Sequence, residues 1–202
     1  LPKYRGKVSV IICSRNERLL KDCLGALRTQ TEWPFEAIVV DHISGTNSGM
    51  TQLIAAFGAK RVEYRDDFHF GRMCQAGVER SESEFVLFLN DDTAPLTKDW
   101  LTRMLAQAER PGTGAVGALL YYPDGRIQHA GVLVGTPNGG GHPGRLTSGT
   151  PAWPWLQTTR EQSAVTGACL LMRREIYESH QGFDPIFPVN YNDVDLCLRV
   201  RQ

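Results

Sequence analysis

No sign of charge dominates this chain: Lys and Arg number 22, Asp and Glu 22, and the formal net charge is zero. A general nucleic-acid binder carries a basic excess to meet phosphates, so no nucleic-acid partner is expected. An anionic small molecule stays within reach, because a local site or a bound metal can supply positive charge. Paired cysteines are missing too. Cys13, Cys23, Cys74, Cys169 and Cys197 are odd in number, lack CxxC spacing and sit among apolar residues. That pattern argues against a disulfide framework or zinc site and fits reduced core thiols in a cytoplasmic setting. No apolar run is long enough to span a bilayer, and no signal peptide is visible. Leu1 opens the chain and Gln202 falls in mid-pattern, so the expectation is a domain trimmed at its C-terminal side.

Several catalytic signatures are also absent. There is no G-x-x-x-x-G-K-[ST] phosphate loop, no G-x-G-x-x-G fingerprint and no G-x-S-x-G elbow. His42, His69, His129, His142 and His180 are not spaced like a zinc-helix pair. What is present is 202 residues, 42% hydrophobic and 22% charged, enough for one α/β domain with a real core.

The first half alternates between two periods. Val8-Ser9-Val10-Ile11-Ile12 is a β-branched run suited to a strand buried on both faces. Leu19, Leu20, Cys23, Leu24 and Leu27 follow at helical spacing. Ala37 to Val40 predicts a second strand ending at Asp41, and 48–57 a helix. Val62 to Tyr64 predicts a weaker strand, and 72–79 another helix. Phe85 to Leu89 is the strongest strand and runs into Asn90-Asp91-Asp92, before a helix over 99–109. This order predicts a mostly parallel, Rossmann-like sheet flanked by helices, with ligands outside the carboxyl ends of its strands. Cys13-Ser14-Arg15, Asp41 and Asn90-Asp91-Asp92 all fall at those ends.

The second half predicts a smaller antiparallel portion. Strands over 116–122 and 126–134 flank a Pro123-Asp124-Gly125 turn. Residues 136–163, rich in Gly, Pro, Ser and Thr and carrying Trp153 and Trp155, predict a long loop able to order over a ligand. A strand over 164–172, a short helix from Arg173, a turn at Gly182-Phe183-Asp184-Pro185 and a helix from Asn192 complete the chain. The whole is expected to be one domain, 1–202, with a nucleotide-binding half over 1–110 and a sugar and acceptor half over 111–202.

Adjacent carboxylates on a buried strand end repel one another, and burial disfavours their charge. A divalent cation relieves both effects, and hard oxygen ligands suit Mg2+ or Mn2+. For Asp91-Asp92 the competing explanation is a solvated turn. Asp41 is either a contact to a ribose or base edge or a simple turn aspartate. Arg15 and Glu17 stand equally well as ligand contacts or as surface residues at a helix entry. Asp193, in Asn192-Asp193-x-Asp195, is a candidate general base, against the ordinary preference for acidic residues at helix starts. His129, in Gln128-His129-Ala130-Gly131, is a candidate ligand contact, with packing as the alternative.

Taken in order, VSVIICSRNE, IVVDHISG, FVLFLNDDT, AVTGACLLMRRE and GFDPIFPVNYNDVDLCLR resemble glycosyltransferase family 2, inverting enzymes with the GT-A fold. The stretch YYPDGRIQHAGVLVG is similar to bacterial O-antigen, capsule and rhamnosyltransferase-like members. The resemblance implies that Cys13, Ser14 and Arg15 line the nucleotide base with Glu17 close by. It implies that Asp41 contacts base or ribose, and that Asn90-Asp91-Asp92 stands at the DXD motif. Asp92 would be the main metal ligand, and Asp91 would face the ribose or the metal's water shell. Thr166, Gly167, Ala168 and Asn192 would line the sugar and acceptor pocket, and Asp193 would be the base. The cofactor would be Mn2+ or Mg2+. The donor would be a UDP, dTDP or GDP sugar, and the acceptor a saccharide or lipid-linked saccharide in cell-surface polysaccharide synthesis. The full-length protein would work in the cytoplasm, at the inner face of the cell membrane.

The sequence departs from that pattern at His42-Ile43-Ser44, at Asn192 where Glu is common, and at Gln202, before a region where many members place a metal-binding histidine. Two other readings stay open. One is a non-catalytic nucleotide-sugar or saccharide-binding module of a larger assembly. The other, a sugar nucleotidyltransferase, needs a Gly-rich stretch after the first strand, and CSRNERLL has no glycine.

Overall fold

The structure, a computed structural model, describes residues 1–43, 48–136, 139–148 and 154–201. Trp153 and Ser44 lie outside the described residues. The chain first builds β1 (Val8–Ser14), α1 (Glu17–Gln30), β2 (Phe35–His42), α2 (Ser48–Phe57), β3 (Lys60–Tyr64), α3 (Phe70–Val78), β4 (Phe85–Asn90) and α4 (Trp100–Ala108). It continues through β5 (Ala115–Gly117), β6 (Leu120–Tyr121), β7 (Ile127–His129), β8 (Leu133–Thr136), β9 (Gly139–Gly141) and a 3-10 turn at Pro154–Gln157. β10 (Cys169–Arg173), α5 (Arg174–Ser179) and α6 (Asn192–Val200) close it. Among the described residues no helix is long and apolar enough to cross a membrane.

The main sheet has the order β3-β2-β1-β4-β10-β5. β1 to β4 run parallel, and β10 runs antiparallel between β4 and β5. The period of two in each strand sends alternate side chains to opposite faces. Val8, Val10 and Ile12 pack with Leu20, Leu24 and Leu27 of α1, Met50 and Ile54 of α2, and Leu101 and Leu105 of α4. Ile11 instead joins Met73 and Val78 of α3, Tyr177 of α5 and Leu196 of α6. A strand covered on both faces must be apolar throughout, which is why β1 and β4 read as unbroken hydrophobic runs.

Helix starts follow local chemistry. Asn16 caps α1 by accepting from the Leu19 N–H at 3.1 Å. His69 caps α3: its Nδ1 accepts from the Arg72 N–H at 3.3 Å. Nε2 therefore carries the proton and donates to the Pro185 carbonyl at 3.0 Å.

Two expectations need correction. The strands predicted over 116–122 and 126–134 are each divided. β5 belongs to the main sheet, β6 pairs with β7, and β8 pairs with β9. The predicted hairpin survives as β6–β7, with Gly125 at φ +83 in its turn. The second break falls at Gly131, held at φ +100. A Cβ there would also lie 2.3 Å from Gln162 Oε1, so only glycine fits. The strand predicted over 164–172 begins only at Cys169. Ala164 makes an isolated bridge to Val132, and Thr166–Ala168 forms a turn in which the Ala168 N–H bonds Thr166 Oγ1 at 3.3 Å.

Gly77 sets how closely α3 approaches the sheet. A Cβ at this position would stand 2.5 Å from Ile11 Cγ2 and 3.2 Å from Val40 Cγ2. Both neighbours are β-branched side chains on central strands and have little rotamer freedom. Gly77→Ala is therefore expected to lower stability by roughly 1–3 kcal/mol through overpacking, although alanine favours helix by up to about 1 kcal/mol. The check is urea unfolding: the midpoint should fall with the slope unchanged, and an unchanged midpoint would show that α3 shifts freely.

Candidate active site

The carboxyl ends of β1, β2 and β4 bring three predicted clusters to one edge. Ser14 lies beside Asp41 in register, and Cys13 beside Asn90. The Ser14 hydroxyl donates to Asp91 Oδ2 at 2.6 Å and accepts from the Asn16 N–H at 3.1 Å. The Asn90 carbonyl accepts from Thr93 Oγ1 at 2.7 Å, which folds the Asp91-Asp92 turn back on the strand end. Burial pushes the Asp91 carboxyl above the ordinary carboxylate range. The Ser14 hydrogen bond works against that rise, and the Asp92 charge adds to it. Burial, with Asp91 next, pushes the Cys23 thiol up to about 12, so it stays a protonated core residue.

Asp41 is 2% exposed. Its Oδ2 accepts from Arg61 Nε at 2.8 Å and Nη2 at 2.6 Å. Sequence reasoning missed Arg61, yet a signal existed: a strand-end aspartate that is buried needs a cation, and Arg61 lies on the adjacent strand. Arg15 is exposed, with its guanidinium 5.9 Å from the Phe68 ring centre. The Glu17 carboxylate lies so close to Gly49, in the first turn of α2, that a Cβ there would be 2.2 Å from its Oε2. A negative charge is favourable at that helix end. The Cys13 sulfur is 3.7 Å from that of Cys74.

A second cluster forms around the Thr166–Ala168 turn. The Gly167 N–H donates to Asp193 Oδ2 at 2.8 Å, and Asp193 Oδ1 accepts from the Val194 N–H at 2.8 Å. Asp195 is taken up by Arg199 at 2.6 Å, so the two acidic residues of α6 separate into one facing the turn and one paired within its helix. Asn192 is 2% exposed and its Nδ2 donates to the Val189 carbonyl at 3.0 Å, bracing the helix entry. The Thr166 N–H donates to His129 Nε2 at 3.3 Å, and His129 Nδ1 stands 3.1 Å from His142 Nδ1. Burial first, and His142 second, lower the His129 pKa to about 4.

One backbone hydrogen bond joins the clusters: the Asn90 N–H donates to the Ala168 carbonyl at 3.0 Å. Because β10 is antiparallel, it begins where β4 ends, with Cys169 opposite Leu89. The turn that holds Asp193 thus sits next to the strand end that carries Asp91-Asp92. A cavity of about 800 Å3 lies along β5, lined by Thr113, Ala115, Arg160, Gln162 and Val200, and it reaches His129 of the second cluster. None of Asp41, Asp91, Asp92 and Asp193 lines it. The candidate site is therefore defined by the carboxylates at the strand ends and not by cavity size. Among the described residues no three His, Cys, Asp or Glu side chains form a closed metal cage. A divalent ion here would rest on the Asp91-Asp92 pair and leave positions open for phosphate oxygens.

This mostly parallel sheet, flanked by helices, is the GT-A fold. The chain superposes on a mannosyltransferase, PcManGT from Pyrobaculum calidifontis in complex with GDP-Man and Mn2+, with a TM-score of 0.70. Identity there is 16%, covering 99% of this chain and 54% of that one. TarS of S. aureus gives a TM-score of 0.66 at 16% identity, over 97% of this chain and 33% of that one. The chain belongs to glycosyl transferase family 2, whose model matches residues 9–180. Its curated relatives include the O-antigen biosynthesis protein RfbC of Myxococcus xanthus, 36% identical over 96% of this chain and 16% of that protein. An uncharacterized protein, y4gI of Sinorhizobium fredii, is 39% identical over 96% of this chain and 22% of that protein. An N-acetylglucosaminyl-diphospho-decaprenol L-rhamnosyltransferase of Mycobacterium tuberculosis is 26% identical over 90% of this chain and 66% of its own length. The chain thus spans 22% and 16% of two of these relatives.

The Asp41–Arg61 pair makes a separate prediction. Arg61→Met leaves a buried carboxylate without its cation and should cost about 3–5 kcal/mol. Adding Asp41→Asn to it should return much of that loss. Urea unfolding of the two single variants and the double variant tests the coupling, and additive losses would show that the pair contributes nothing jointly.

Proposed function

We propose that this domain is an inverting glycosyltransferase that moves a sugar from a nucleoside-diphosphate donor to a saccharide acceptor. The observation that carries the reading is the Asn90–Ala168 bond, which puts the Asp193 turn against the Asp91-Asp92 strand end. In this reading Cys13, Ser14, Arg15, Glu17, Asp41 and Asn90 frame the nucleotide. Asp92, with Asp91 secondary, holds Mn2+ or Mg2+. The raised Asp91 pKa supports the metal assignment, since a cation offsets both burial and the repulsion from Asp92. Such an ion would neutralise the diphosphate as it becomes a leaving group.

Thr166, Gly167, Ala168 and Asn192 border the sugar and acceptor, with His129 behind them. Asp193 takes the proton of an acceptor hydroxyl. Each of its oxygens accepts one amide N–H and keeps lone-pair capacity for that proton. The freed oxygen attacks the anomeric carbon from the face opposite the diphosphate. The carbon–oxygen bond to the diphosphate breaks, its electron pair leaves with phosphate, and the configuration inverts. Bacterial relatives that include an O-antigen biosynthesis protein support a place in cell-surface polysaccharide synthesis; in this reading the full-length protein works at the cytoplasmic face of the membrane.

Asp193→Asn should reduce transfer by roughly 10²–10⁴-fold while nucleotide affinity stays near that of the parent. Asp92→Ala should weaken Mn2+-supported nucleotide binding instead. Calorimetry with UDP, GDP and dTDP, with and without Mn2+, measures the second effect, and nucleotide release from donor sugars measures the first. Full transfer by the Asp193→Asn variant would sink the assignment of the base. Metal-dependent nucleotide binding with no release from any donor would leave a binding module in place of an enzyme.

A further inference from the structure

The proton positions on two histidines follow from one backbone amide. An amide N–H can only donate, so His129 Nε2, which faces the Thr166 N–H at 3.3 Å, must present a lone pair. A neutral imidazole carries one proton, and in His129 it therefore sits on Nδ1. That Nδ1–H faces His142 Nδ1 at 3.1 Å, so His142 Nδ1 is the acceptor and the proton of His142 sits on Nε2. A hydrogen-bonded arrangement of this kind is costly to misarrange in a buried place, and His129 is 2% exposed. His142 is exposed, so of the two rings it is the one that can meet a ligand.

The same turn aims its next amide, that of Gly167, at Asp193 Oδ2. Thr166 thus anchors the histidine pair and Gly167 anchors the carboxylate. Asp193 also lies near enough to His142 for its charge to act on the ring, as does Arg145 from the same segment. Nδ1 atoms 3.1 Å apart would also suit two ligands of one cation. His129 then needs a lone pair on Nδ1, which the Thr166 amide denies it.

We propose that His142 is an acceptor-binding residue whose Nε2–H donates to an acceptor oxygen beside the hydroxyl deprotonated by Asp193, with His129 as its positioning residue. A donor and an acceptor side by side match adjacent oxygens of a pyranose, one accepting from His142 and the other donating to Asp193. The inference rests on the reading of Asp193 as the base in an acceptor pocket, and it adds a hydrogen-bond donor to that pocket.

Nitrogen-15 NMR of the imidazoles at pH 7.5 reads the tautomers without any substrate. His129 should carry its proton on Nδ1 and His142 on Nε2. The opposite tautomer of His129, or loss of both ring signals into a complex with added Zn2+, would overturn the proposal. Methyl pyranosides of the gluco, galacto, manno and rhamno series, titrated with UDP and Mn2+ present, serve as acceptor probes. A glycoside that shifts the Gly167 amide should also shift His142 Nε2. His142→Ala should weaken that glycoside about tenfold, the effect of one lost hydrogen bond. His142→Gln, which keeps a donor near Nε2, should restore most of the affinity. Unchanged glycoside affinity in His142→Ala would overturn the proposal. His129→Leu, which loses the donor to His142, should weaken the glycoside as His142→Ala does, and His129→Asn, which keeps a donor at the Nδ1 position, should restore it. Asp193→Asn, run in parallel, separates the two readings. Transfer retained there, with His142→Ala still weakening the glycoside, would remove the base and leave the donor.

Discussion

β4 is covered on both faces and hydrogen-bonded on both edges, to parallel β1 on one side and antiparallel β10 on the other. Its side chains from Phe85 to Phe88 are fully buried, so the strand has no freedom to slip or tilt. Whatever follows Leu89 is held at a fixed point in space. Asn90 completes the arrangement: its carbonyl holds the Asp91-Asp92 turn, and its N–H holds the Thr166–Ala168 turn. Cutting any of these ties would separate a carboxylate pair from the segment that braces Asp193.

The charges at this edge are handled in two ways. Asp41 is buried and has its cation within the protein, so its charge is already compensated by Arg61. Asp91 has a hydroxyl and a like-charged neighbour, and its carboxyl is held above the usual range. The first arrangement compensates a buried charge without need of a ligand, and removing either partner alone would be costly. The second leaves negative charge in a half-buried place with nothing positive bonded to it among the described residues, which is the condition that a divalent ion relieves.

The histidine pair shows a similar division of labour. His129 lies under the turn with both ring nitrogens engaged, and His142 carries the polarity outward. The sequence leaves His129 as either a ligand contact or a packing residue, and the structure buries its ring beneath the Thr166 turn. A strand-borne histidine followed by Ala130-Gly131 gives no sign of which neighbour will cover it. His142, in a glycine-rich stretch, gives no sign of a partner at all.

Periodicity alone located the parallel strands and the helices of the first half, because a strand buried on both faces must be apolar and an amphipathic helix must be striped. It also put Asp41, Asp91 and Asp92 at strand ends, since register follows directly from those runs. In the second half the pattern failed where glycines with positive φ and single bridges divide what read as long strands, a matter of contacts with Gln162 and Val132 far along the chain. Motif order in the sequence was enough to point to the family. Only the tertiary structure decided that Arg61 neutralises Asp41, that Asp193 turns to Gly167, and that His129 meets His142. Each of those three pairings joins residues whose spacing carries no period, so packing alone brings them together; Asp195 and Arg199, by contrast, stand four apart on α6 and are paired by helix geometry.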